Sequence, residues 1–214
     1  MPATVNGCEI IRKRRNGAEI SDAKKKRRKV VQDSGQDSSQ ELDIEDGILG
    51  LEGKILESRS NYNSIRTLLE YMRSSSVSAE NNDVLAAVAL CRVFCRLMVA
   101  GSLAKSQQSS DNEVTIVQWL KERLKEYENN LLRMLCCVEV GRNNTALTLL
   151  MRLVKEEALH LNKSEEAIWR DGIFPKIIQR LLEENVAMQI RLEFAGKYLE
   201  ENADVRHYTF ARLA

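Results

Sequence analysis

Cys91 and Cys95 stand four residues apart, Cys136 and Cys137 are adjacent, and His160 and His207 are the chain's two histidines. From such residues a thiol nucleophile with an imidazole base, or a soft metal centre, is built. Zinc asks for a second spaced pair or for nearby histidines. Neither accompanies Cys91 and Cys95, and Cys8 lies far off in the N-terminal segment. A reactive thiolate needs cations or a helix N-terminus beside it, whereas all four of these thiols fall on apolar stretches that predict buried, inert side chains. Gly47, Gly50 and Gly53 sit in an acidic segment with no strand before them, so they make no phosphate loop. The sequence therefore predicts a protein that is not an enzyme, with no cofactor and no bound metal.

The cations are more telling. Arg12, Lys13, Arg14 and Arg15 form one cluster, and Lys24, Lys25, Lys26, Arg27, Arg28 and Lys29 a second, eight residues further on. The pattern resembles a bipartite nuclear import signal, in which solvated cations thread along acidic pockets of an import carrier. A plainer alternative is a polycation that meets RNA phosphates by counterion release, and the two roles are compatible. Residues 1–32 carry ten Lys/Arg against three Asp/Glu, while residues 33–52 carry seven acids and no base. Few apolar residues interrupt residues 1–46, which predicts a disordered tail of opposite-sign halves ahead of a folded region spanning 47–214. No apolar stretch of signal-peptide type follows the basic start.

Three further arginines recur at a sixty-residue interval, in Leu90-Cys91-Arg92-Val93, Leu150-Met151-Arg152-Leu153 and Phe210-Ala211-Arg212-Leu213. Each copy follows a residue able to cap a helix, namely Asp83, Asn144 and Asp204. An internal repeat of helices predicts an all-α solenoid of the HEAT/armadillo kind, whose units bury their apolar faces on one another. Arg92 and Arg96 lie one turn apart and form the polar edge of an otherwise apolar helix. With Arg152 and Arg212 they are the candidate partner contacts; the alternative is that each pairs with a carboxylate of a neighbouring helix and holds the repeats in register.

The positioning elements follow from 3.6-residue periodicity. Helices are predicted over about 51–73, 83–100, 113–138, 144–161, 176–184 and 190–202, with a last one from Asp204. Only two prolines and 5% aromatic residues accompany a 43% apolar content, which suits helices better than a sandwich or barrel. Residues 84–100 are the most apolar stretch, but Arg92 and Arg96 sit inside it, and each arginine costs roughly 2.5–3.5 kcal/mol near a bilayer centre. A buried helix is expected there, not a membrane span. Gly141 is expected to close the 113–138 helix, Pro175 to open another, and Trp119 and Trp169 to pack between helices. Lys121, Glu122, Lys125, Glu126 and Glu128 are expected on a solvated face. The final helix stops at Ala214 without a polar capping helix, which predicts a domain that continues past the chain.

Several stretches carry a family resemblance: residues 54–59 and on through Leu69, residues 146–158 with Glu156 and Glu157, the turn from Trp169 to Pro175, and the closing run from Asp204 to Thr209. Together they resemble the N-terminal half of the nucleolar complex protein 4 family, within the CCAAT-binding-factor group of ribosome assembly factors, in its fungal form. The resemblance implies a scaffold in the nucleus and nucleolus that pairs with nucleolar protein 14 and other small-subunit processome proteins. It also implies a role in maturation of small-subunit ribosomal RNA, with pre-rRNA within reach of the basic tail. The group's C-terminal domain has no counterpart in these residues. Two other classes share the tail and repeat: a nuclear helical-repeat adaptor unrelated to ribosomes, and a nucleic-acid-binding protein. The latter would need a continuous basic stripe on residues 53–214, which are close to charge-balanced.

Overall fold

The computed structural model describes residues 36–73, 81–104, 110–161 and 165–213. Among them are nine α-helices and no strand: α1 (Gln36–Glu57), α2 (Ser64–Arg73), α3 (Asn82–Val99), α4 (Asp111–Met134), α5 (Val140–His160), α6 (Glu165–Asp171), α7 (Phe174–Leu181), α8 (Met188–Phe194) and α9 (Ala203–Leu213). A wider π turn, Ala195–Leu199, follows α8. The all-α repeat architecture is as the sequence predicts. Both basic clusters lie outside the described residues.

α3 is the hub. It packs on α1, α2, α4 and α5, and ten of its residues are buried, from Ala86 to Met98. Arg92 and Arg96 are its exposed positions within that stretch, the polar edge that their spacing requires. Gly101, at φ 68°, ends the helix: its N–H and that of Ser102 donate to the Met98 and Leu97 carbonyls, each at 2.9 Å. α4 buries its whole predicted stripe of Val117, Leu120, Leu124, Tyr127, Leu131 and Met134. Its start is set by Ser110, whose Oγ accepts from the Glu113 N–H while the Glu113 carboxylate accepts from the Ser110 N–H. α5 in turn packs against α3, α4, α6, α7 and α8, so one apolar core runs from Ile48 to Val205.

Several boundaries differ from expectation, each for a local reason. α1 begins at Gln36, so residues 36–46 belong to a helix and not to the tail. Ile44, Ile48, Leu51 and Ile55 continue one apolar stripe backwards through the acidic stretch, and Ile48 is buried. The helix expected over 51–73 is two helices, because Ser58 accepts from the Ser60 N–H and the Asn61 side chain donates to the Lys54 carbonyl, closing a 3₁₀ turn. Gly141 does not close α4, which ends at Met134; the Cys136 and Cys137 N–H groups take its last carbonyls, and Gly141 lies in the first turn of α5. Asn144 is consequently inside α5 and caps nothing. Trp169 is on a short helix, α6, where a turn was expected, and Pro175 does open α7.

The third repeat copy departs most. Leu90 and Leu150 are completely buried, whereas their counterpart Phe210 is 58% exposed. α9 packs on α7 and the π turn through a different face, burying Val205 and Thr209.

Candidate functional site

The predicted arginines are placed by the helices that carry them, and they do not act alike. Arg92 reaches from α3 to α1, where Nε donates to Glu52 Oε1 at 2.8 Å and Nη2 to Oε2 at 2.5 Å. Glu52 is buried, so this fork ties two helices together in the register role. Arg96 is exposed with no ion pair among the described residues. On α5, Arg152 holds Glu156 at 2.8 Å, and His160 Nε2 approaches the same buried carboxylate at 3.3 Å. Arg212, on α9, is exposed.

The thiols are close but poorly equipped. Cys91 and Cys95 Sγ atoms lie 3.9 Å apart, both buried. The hydrogen bond between them, with burial, pushes the Cys91 thiol up; the same bond, helped by Arg152 across from α5, draws Cys95 down against its own desolvation. That lowering runs against the sequence expectation for Cys95. No imidazole serves it as a base, since His160 engages Glu156 and His207 packs edge-on against Tyr208 at 5.0 Å. Cys136 and Cys137 are half-buried and shifted upward, first by desolvation. Among the described residues no group of three or more His, Cys, Asp or Glu is placed to hold a metal, and no helix is long and apolar enough to cross a membrane.

Buried acids fix the rest of the frame. Glu128, expected on the solvated face, is buried on α4 and binds Lys176 of α7 at 3.1 Å. Glu157 of α5 accepts the Ile173 N–H at 3.3 Å and so sets the bend between α6 and α7. Arg191 donates to the Leu181 and Glu183 carbonyls at the end of α7, at 2.8 and 2.5 Å.

These supports hold an aromatic group where α6, α7 and α9 meet. Trp169 stacks on Tyr208 with centroids 4.9 Å apart and planes 8° from parallel, and meets the buried Phe174 edge-on at 4.8 Å. The expected packing role of Trp169 is thus met, and Trp119 similarly lies against the core beneath Arg123. Two depressions share Trp169 in their walls. One, of about 500 Å³, is a largely apolar groove formed by Met151, Val154, Leu159, Tyr198 and Val205 with Arg152 and Lys155 at its edge. The other, of about 580 Å³, is lined by Arg170, Asp171, His207 and Arg212 beside the rings. Arg152 and Arg212 therefore face different hollows and do not form one ladder. Lys155, Arg170 and Tyr208 escaped notice because their signal is convergence between α5, α6 and α9, which no single-helix period reveals.

The arrangement leaves two open hollows on a helical frame. Comparison with known proteins places it: residues 36–214 match the family described as nucleolar complex protein 4-like, TPR repeats. An uncharacterised protein of Schizosaccharomyces pombe is 29% identical over 167 residues, covering 76% of this chain and 33% of the relative. The chain thus spans about a third of that protein's length. No solved structure matches. On the match over residues 36–214, which takes in every described helix, the chain belongs to the nucleolar complex protein 4-like family of TPR-repeat proteins.

Proposed function

We propose that the chain is a non-enzymatic scaffold of ribosome assembly that works in the nucleolus, in maturation of small-subunit ribosomal RNA. The family match over residues 36–214 carries this reading. It is supported by a frame in which cross-helix pairs, Arg92 with Glu52 and Lys176 with Glu128, hold the helices while two hollows stay open at the α5, α6 and α9 end. Nucleolar protein 14 and other small-subunit processome proteins are the proposed protein partners, and an import carrier is the proposed reader of the basic tail. Purification of the tagged gene product, with identification of what co-purifies, tests the assignment. Recovery of nucleolar protein 14 and small-subunit precursor particles is expected, and recovery of neither would remove the reading.

A further inference from the structure

Arg170 on α6 and Arg212 on α9 come from helices far apart in sequence, yet both line the 580 Å³ pocket, exposed and with no ion pair among the described residues. Among the described residues Asp171 is the one carboxylate lining the pocket, and His207 adds a ring donor. The pair of parallel rings, Trp169 and Tyr208, each half-buried, forms part of the same wall. Guanidinium groups beside flat aromatic surfaces are the elements that proteins use on unpaired nucleotides: the rings take the base, and the arginines take the phosphates on either side. The volume falls within the roughly 300–1,000 Å³ of small-ligand sites, room for a splayed nucleotide and not for a duplex. An acidic peptide would satisfy the arginines but make no use of the aromatic wall beside them.

We infer that this pocket binds single-stranded RNA, one base packing on the Trp169 and Tyr208 pair with its flanking phosphates on Arg170 and Arg212. The inference deepens the assembly-factor reading and rests on it for the choice of RNA. It differs from electrostatic contact through the tail, because it places a base-stacking site on the folded part.

The test uses the full 214-residue chain with both basic clusters of the tail replaced by alanine, so that polycation binding is silenced. Binding of a fluorescent uridine-rich ten-nucleotide RNA is followed by anisotropy across a salt series. Replacing Arg170 and Arg212 together by glutamine should weaken binding about tenfold and reduce the slope of log K against log salt by about 1.4, two phosphates at about 0.7 each. Both side chains are exposed, so an unchanged circular dichroism spectrum is expected of that variant. Lysine at both positions should keep the salt slope. Photo-cross-links from 4-thiouridine RNA should map to the peptides holding Trp169 or Tyr208. Unchanged affinity and slope, cross-links confined to the tail, or equal competition by an oligoglutamate peptide would each overturn the inference. None of these outcomes touches the assembly-factor reading, which is judged by co-purification and precursor RNA.

Discussion

Arg92 of α3 and Glu52 of α1 form a two-pronged ion pair in which the arginine is half-exposed and the carboxylate is buried. Because the two ends differ in burial, so do the consequences of cutting them. Arg92→Ala strands a buried carboxylate and should lower stability by about 1.5–3 kcal/mol. Arg96→Ala, one turn on and without a partner among the described residues, should stay within about 0.5 kcal/mol. Urea unfolding of the two variants gives the comparison directly.

The repeat copies offer a second contrast at equivalent positions. Leu90→Ala opens a cavity in the hub helix and should cost about 2–5 kcal/mol, while Phe210→Ala, on the exposed side of α9, should cost under about 0.5 kcal/mol. Equal losses would mean that the third copy packs as the first two do. Hydrogen exchange should likewise find the backbone around Leu90 among the slowest to open.

Tyr127 binds α4 to α3 by donating its hydroxyl to the Ala87 carbonyl at 2.7 Å, with its ring stacked on Phe94. Tyr127→Phe keeps the ring and should cost about 0.5–1.5 kcal/mol. Burial pushes the hydroxyl's pKa well above the usual tyrosine value. The folded state therefore keeps a proton that the unfolded chain releases near pH 10, and this contribution is whole below that pH and lost as pH rises through it. Stability of the parent protein should accordingly fall more steeply above about pH 10 than that of Tyr127→Phe. Parallel slopes would contradict the assigned burial.

In the tail, Lys25, Lys26, Arg27 and Arg28 replaced by alanine should reduce nuclear accumulation of a fluorescent fusion of the full chain. Undiminished accumulation would discard the import signal.

Helices set by their own periodicity were legible: the α4 stripe from Val117 to Met134 and the α3 edge of Arg92 and Arg96 both follow from spacing alone. Features made between helices were not. Glu128 looks solvated on its own helix, and only the arrival of α7 with Lys176 accounts for its burial. Asn144 and Gly141 have the residue types of helix punctuation, but the turns at Cys136 and Cys137 end α4 first, so both are absorbed into α5. The sixty-residue repeat located α3, α5 and α9, yet equal residue types did not mean equal burial, since α9 buries Val205 and Thr209 and leaves Phe210 outside. Arg212 and Trp169 stood out in the sequence, one as a partner contact and the other as a packing residue, but their meeting with Arg170 and Tyr208 in one pocket was not legible there, because it joins α6 to α9.

The most direct measurement of the central claim is depletion of this gene's product followed by Northern analysis of precursor ribosomal RNA. Small-subunit precursors should accumulate while large-subunit precursors mature normally, and re-expression of the gene product should restore processing. Unchanged small-subunit precursors after full depletion would contradict the account.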